Sequence, residues 1–310
     1  MSGLISKEEF NLVFINILLP IFLIIALGVI FEKVKGPDFK SVSDLTLFIL
    51  APCLIFAGLL KGGAEVAGFL PGAVAFMLSL TLIFWGISVV CGRLLGLDIQ
   101  SRSAFSLTTI MMNTGNYGLP LVLFAYGPEG LAYAVIVMVL FTFPLGTLAI
   151  YIASRGEDSP AKALLEMFKV PLFHAIVLAA IWRGFALPLP EIVFKAIDIV
   201  GQAAIPGLLI LLGMQLARTK FKGDISAIAA SSFLRLVISP FIAVLLCFLF
   251  DIQGLPRNVL ILQTSTPAAV IPLLYAVNYD TRPDMVAGTI FVSTIASALT
   301  LTCLLHFLGV

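Results

Sequence analysis

The chain has 310 residues, 60% of them hydrophobic and 11% charged, with a mean hydropathy of +1.13 and a formal net charge of +1. A soluble domain needs roughly a quarter of its residues charged to hold its surface in water, so this composition excludes a soluble globular protein. No basic tract is present, which excludes a nucleic-acid binder.

A membrane-crossing helix needs about 20 mostly apolar residues, because the hydrocarbon slab is about 30 Å thick and each residue rises about 1.5 Å. Ten windows of that kind occur in chain order, at 11–31, 41–60, 67–95, 101–125, 130–153, 168–187, 191–216, 226–250, 256–279 and 284–308. The first follows Lys7-Glu8-Glu9, a poor leader for a cleaved signal peptide, so it reads as a true span. The second opens on Phe39-Lys40 and contains Asp44 and Pro52, and the seventh contains Asp198 and Pro206. Each proline frees the carbonyl four residues earlier, on Phe48 and Gln202, and predicts a kink.

The fourth window contains Met112-Asn113-Thr114-Gly115-Asn116-Tyr117-Gly118-Leu119-Pro120. A helix interior loses about 1 kcal/mol for each glycine and about 3 for proline, so this window breaks within Asn113–Pro120. The ninth breaks in the same way at Gln263-Thr264-Ser265-Thr266-Pro267-Ala268-Ala269-Val270-Ile271-Pro272. Unpaired backbone at membrane depth persists only where protein or a water-filled cavity satisfies it. Two breaks therefore predict two unwound helices crossing near the midplane. The second half-helices would direct their N-terminal N–H groups at the crossing, an environment suited to an anion.

The chain also matches itself at an offset of about 153 residues. Asp98-Ile99-Gln100 recurs as Asp251-Ile252-Gln253, and Phe39-Lys40 with Asp44 and Pro52 as Phe194-Lys195 with Asp198 and Pro206. Asn113 to Tyr126 aligns without gaps on Ser265 to Asn278. Five spans per copy force the copies into opposite orientations, the inverted-repeat design of many secondary transporters. The predicted fold is an all-α polytopic membrane protein: repeats at 1–153 and 168–310, a cytoplasmic linker at 154–167, and broken crossing spans four and nine, as in bile-acid symporters. Lys and Arg collect on the cytoplasmic side. Twelve fall after odd-numbered spans: Lys33, Lys35, Lys40, Arg93, Arg102, Arg155, Lys162, Lys169, Arg218, Lys220, Lys222 and Arg282. Only Lys7, Lys61, Arg183, Lys195 and Arg257 fall on the other side. The bias places both termini outside a cell inner membrane.

At the two breaks the sequence resembles the auxin efflux carrier family, which includes plant auxin carriers and bacterial dicarboxylate permeases. Asn113-Thr114 with Gly118-x-Pro120-Leu121 resembles its first crossover, and Pro267 followed by Pro272 its second. Pro283-Asp284 with Phe291 adds to the match. The resemblance implies a scaffold of spans one, two, six and seven and a mobile transport unit of spans three to five and eight to ten. It further implies alternating access and a homodimer. The residue before Asn113 is Met112 where plant members have proline, and the central loop is short. Both departures favour a bacterial carboxylate permease over an auxin carrier.

The expected substrate is a small organic anion, dicarboxylate or auxin-like, bound by Asn113, Thr114, Asn116, Tyr117, Gly118, Pro120, Gln263, Ser265, Thr266, Pro267 and Pro272. Asp44 and Asp198 are read either as interfacial residues at helix starts or as a proton-sensitive pair. Arg235 is read either as snorkelling to the cytoplasmic face or as a counter-charge for substrate or an acidic residue. His174 reads as a packing histidine. Cys53, Cys91, Cys247 and Cys303 lie within spans as packing thiols, so neither metal nor cofactor is expected. No His-Glu-x-x-His, Gly-x-Ser-x-Gly or phosphate-cradling loop occurs, which argues against an enzyme and against direct ATP drive. A sodium-coupled symporter of the bile-acid type and an anion channel remain the alternatives. Neither broken segment contains the carboxylate that a sodium site would use.

Overall fold

The structure is a computed structural model of the chain and describes residues 7–62, 64–154, 171–219 and 223–310. The linker beyond Ser154 and the basic residues Arg155, Lys162, Lys169, Lys220 and Lys222 lie outside the described residues. Among the described residues the regular elements are all helices: α1 (Phe10–Lys35), α2 (Phe39–Lys61), α3 (Gly68–Leu94), α4 (Ile99–Ile110), α5 (Thr114–Ala153), α6 (Pro171–Gly184), α7 (Glu191–Arg218), α8 (Ile225–Leu249), α9 (Gly254–Thr264), α10 (Ile271–Asn278) and α11 (Pro283–Phe307). Seven of these, α1, α2, α3, α5, α7, α8 and α11, are long and apolar enough to cross a membrane. The circumference is apolar as well, with Leu23, Leu27, Leu82, Leu245 and Phe248 all exposed. An apolar exterior over an apolar core is the signature of helices solvated by lipid. The protein is a multi-pass membrane protein.

Proline shapes four of these helices in one recurring way. A wide π turn ends two residues before Pro20, Pro52, Pro120 and Pro240, at Phe14–Leu18, Thr46–Leu50, Thr114–Gly118 and Leu234–Ile238. A proline ring clashes with the carbonyl four residues back and offers it no N–H. Widening the preceding turn moves that carbonyl aside while the helix continues. At Pro52 the helix runs on through such a turn, from Phe39 to Lys61. At Pro206 the helix instead steps at Ala203, between Glu191–Gln202 and Ala204–Arg218. Within α5, Gly127 breaks the helix at φ 66°, ψ −163°, a conformation that glycine reaches without a Cβ clash.

Close packing between α1 and α7 depends on glycine. A Cβ on Gly28 would collide with the Ile210 carbonyl, and one on Gly213 with that of Ile25. Gly201 of α7 rests in the same way on the backbone of Cys53 and Leu54 in α2. Polar clasps tie the ends of this group. Arg218 pairs with Glu32 at 2.8 Å and stacks 4.9 Å from the Phe39 ring. At the other end Lys61 pairs with Asp198 at 2.6 Å, and Arg183 donates to the Leu59 and Gly62 carbonyls. A second group forms around α4, which lies against α3 and α11, and α9, which lies against α5 and α8.

Candidate functional site

Both expected breaks occur, the first shifted ahead of its polar cluster and the second inside it. The first interruption is Met111–Asn113, between α4 and α5; Thr114–Gly118 is already helical, as a π turn. Its two glycines are accommodated by a widened turn rather than by unwinding. The second interruption runs from Ser265 to Val270, while Gln263, Thr264 and Pro272 are helical. What holds the interrupted residues extended is each other. Met112 and Ala268 form an antiparallel bridge, in which the Asn113 N–H donates to the Pro267 carbonyl at 2.9 Å and the Ala269 N–H to the Met111 carbonyl at 3.0 Å. The Ala268 N–H goes to Ser293 Oγ of α11 at 3.1 Å. Backbone groups stripped of helical partners at membrane depth are thereby satisfied.

A cavity of about 200 Å³ opens beside this crossing. One wall is the start of α5, with Asn113, Thr114, Gly115 and Asn116; Val270 and Ile271 flank it at the start of α10. The facing wall is apolar and includes Leu47, Ala51 and Ile55 of α2 with Met138 and Phe141 of α5. Among the described residues, no charged side chain lines it. Asn113 is 4% exposed, and its Nδ2 is buried with no hydrogen-bond partner. An unmet amide donor of this kind costs about 1–3 kcal/mol. The first N–H groups of a helix lack intrahelical partners too and carry the positive end of its dipole. The Thr114 N–H is already taken by the Met112 carbonyl at 2.9 Å, so what the wall offers is the Asn113 amide and the N–H groups that follow Thr114.

The remaining candidate residues divide away from the cavity. Gln263 is fully buried, its Nε2 donates weakly to the Ala134 carbonyl at 3.4 Å, and its Oε1 lies against Gly118, where a Cβ would strike it. Gly118 thus lets the two broken helices meet. Ser265 and Thr266 turn back on their own chain, to the carbonyls of Ile261 at 2.6 Å and Gln263 at 2.7 Å. Tyr117 is buried with its hydroxyl 3.0 Å from Ser297 and its ring edge-on to Phe22. Pro120, Pro267 and Pro272 shape backbone and are buried without lining the cavity. Neither Gln263 nor Ser265 lines the cavity: the Ser265 hydroxyl is taken by Ile261, whereas Gln263 Oε1 is buried without a partner.

The charged candidates are also separated. Asp44 is exposed near the Phe39 end of α2, whereas Asp198 pairs with Lys61 at the opposite end. About 25 Å of helix lies between those levels, so they form no pair. Arg235 does not snorkel. It is fully buried in the π turn of α8, donating from Nη1 to the Thr109 carbonyl at 3.1 Å and from Nη2 to the Thr264 carbonyl. Its guanidinium lies 5.3 Å from the Phe84 ring centre. Ser239 adds a 2.7 Å hydrogen bond to the same Thr264 carbonyl. Asp98 and Asp251, equivalent in sequence, have different surroundings. Asp98 accepts the Ser101 N–H at 2.7 Å ahead of α4, and this bond holds its carboxyl below the usual range. Asp251 sits at φ 50° and accepts from Gln253 Nε2 at 3.1 Å.

Sequence reasoning missed Ser293, Ser239 and Ser297, because a serine inside an apolar helix carries no signal of which backbone it will meet. It also missed Met111, Phe141, Thr142 and Tyr275 of the cavity lining.

Comparison with known proteins gives the family. The membrane transport protein family matches residues 13–305. An uncharacterized transporter of Methanocaldococcus jannaschii is 28% identical over 278 residues, covering 87% of this chain and 90% of that protein. One from Methanothermobacter thermautotrophicus is 29% identical over 306 residues, covering 96% of this chain and 89% of that protein. With its match running almost end to end, the chain belongs to the membrane transport protein family, the auxin efflux carrier group that its two crossover motifs resemble, and is a transporter rather than an enzyme.

Proposed function

We propose that the protein moves a small organic anion, with one carboxylate on an apolar body, across the cell's inner membrane by alternating access. The observation that carries this reading is the buried, unpartnered Asn113 amide at the wall of a cavity that also meets the start of a half-helix. A carboxylate would accept from Asn113 and from the N–H groups that follow Thr114 in α5. The apolar wall suits the rest of the molecule. A second carboxylate facing Leu47, Ile55 and Phe141 would be desolvated without compensation, so a monocarboxylate fits better than a dicarboxylate.

The architecture invoked is ten crossings in two inverted halves. Two crossings are broken ones, α4 with the first part of α5 and α9 with α10. The remainder of α5 beyond Gly127 and α6 contribute one each, and the other six long helices the rest. The packed group α1, α2, α6 and α7 serves as scaffold, and α3 to α5 with α8 to α11 as the moving unit, paired as a homodimer through the scaffold. Lining residues Gly146, Leu172 and Tyr275 lead from the crossing toward the helix ends rich in Lys and Arg. That direction corresponds to an inward-facing state with both termini outside.

A thermal-shift screen of mono- and dicarboxylates on purified protein tests the substrate class, with Asn113→Ala as the control. Monocarboxylates should stabilise the wild type and lose most of that effect in the variant. Equal stabilisation of both proteins would place the site elsewhere. Flux that saturates with substrate fits a carrier, and flux that stays linear fits a channel. Binding that strengthens tenfold or more when sodium replaces choline would favour the bile-acid type of symporter. A cysteine at Ser159 should label from the cytoplasm only, and the reverse would overturn the orientation.

A further inference from the structure

Arg235 is the one charged side chain that is fully buried among the described residues, and nothing in the substrate reading uses it. A desolvated charge costs several kcal/mol unless it is compensated. Among the described residues no carboxylate stands within ion-pair distance of it. Its compensation comes from backbone. Thr264 is the last residue of α9, and Thr109 is the next to last of α4. Arg235 therefore grips the C-terminal carbonyls of both half-helices that run into the crossing. Each helix C-terminus carries about half a negative elementary charge. Two of them converging need about one positive charge, which a single guanidinium supplies.

In transporters with broken helices, such half-helix C-termini and unwound carbonyls are where a coupling cation is coordinated. Here the ligand oxygens are already occupied. We propose that Arg235 is a tethered internal cation that fills a monovalent-cation site at the crossing, so that the carrier needs no dissolved cation to hold its two half-helices together. The surroundings are otherwise those of a cation site. Ser239 Oγ sits 2.7 Å from the Thr264 carbonyl, and Ser231 Oγ lies 2.9 Å and 3.0 Å from the hydroxyls of Thr108 and Thr109. Ser232 Oγ, one turn before Arg235 on α8, is buried without a partner. Removing the guanidinium would expose oxygens to an ion from solution. The Phe84 ring beside it provides a second cation-stabilising surface.

The consequence is independent of the substrate, and its readout is stability rather than transport. Melting temperatures of full-length wild type, Arg235→Lys and Arg235→Gln should be compared in choline, sodium and guanidinium chloride at low millimolar concentration. The Gln variant keeps an N–H donor and discards the charge, whereas the Lys variant keeps the charge and discards the fork. We expect the wild type and the Lys variant to melt alike in all three salts. The Gln variant should melt lower in choline and regain about 5 °C or more, saturably, with guanidinium or sodium. A Gln variant as stable as wild type and indifferent to salt would mean that hydrogen bonding alone suffices, and would overturn the proposal. So would a Lys variant as damaged as the Gln variant with neither responding to cations, which would make the fork's shape decisive. If the Gln variant cannot be purified without a cation but can be with guanidinium, the proposal is supported. Failure to purify it in either condition, with the Lys variant also lost, counts against it.

Discussion

The two broken helices are similar in sequence and dissimilar in what their polar groups do. Around the first break, Asn113 has a buried amide with no partner, and Asn113 to Asn116 form a cavity wall. Around the second, Thr264, Ser265 and Thr266 all bond back to their own chain, and the Thr264 carbonyl is held by both Arg235 and Ser239. The first break offers an unmet donor at the cavity, and the second is braced, with one unmet acceptor, Gln263 Oε1, away from the cavity. A carrier needs both properties at its crossing: unmet groups to bind and release substrate, and a fixed frame to hold those groups in place while the unit moves.

The largest expected effect of breaking this asymmetry is on binding. Replacing Asn113 with Ala removes a donor to a charged acceptor, a bond worth about 1.5–3 kcal/mol, and should weaken substrate binding roughly ten- to a hundredfold. Ser265→Ala at the equivalent position should leave affinity within about twofold, because its hydroxyl is satisfied by Ile261 at 2.6 Å. Competition binding on both variants decides the matter. Equal losses would mean that the two breaks share the ligand.

These assignments were only partly legible in the sequence. Gly, Asn and Pro clusters announced two interruptions because those residues act on their own backbone. They did not announce where the interruption falls, since Met111–Asn113 is extended through pairing with Pro267–Ala269, which lies about 155 residues away along the chain. Arg235 was visible as a charge in a span, but its partners are the carbonyls of Thr109 and Thr264, and a carbonyl has no sequence signature. Pro52 was readable as a kink and Pro120 as part of a break, and the π turns that precede them, and those before Pro20 and Pro240, were not.

A smaller effect sharpens the contact between the two breaks. Gly118→Ala should drive its new methyl into Gln263 Oε1, which is fully buried and cannot swing into solvent. Overpacking of this type costs about 1–3 kcal/mol, read as a lower melting temperature. Gln263→Ala empties the space, so the double variant should be more stable than the two single losses predict. The expected coupling is about 0.5–3 kcal/mol. Strict additivity in this double-mutant cycle would show that Gly118 and Gln263 do not form the contact between the helices.

The smallest effect lies at the entrances to the two broken helices, where Asp98 and Asp251 occupy matched sequence positions. Asp98 caps α4 through the Ser101 N–H. Asp98→Ala should cost about 1 kcal/mol, the usual loss for a helix cap. Because the folded carboxyl is held below its ordinary value, its contribution is present above the unfolded pKa of about 3.9 and fades as pH falls through the lowered folded value. The difference in stability between wild type and Asp98→Ala should therefore be flat at neutral pH and shrink only below about pH 4. The carboxylate is exposed, which keeps the pH-dependent part small. Asp251 does no such capping and holds a left-handed backbone at φ 50°. Glycine occupies that region more readily than any side chain. Asp251→Gly is thus expected to be neutral or stabilising by a few tenths of a kcal/mol, whereas glycine at Asp98 should be neutral at best. Melting curves of the two glycine variants between pH 3 and pH 7 make the comparison, and a loss at Asp251 equal to that of Asp98→Ala would mean that both helices are capped alike.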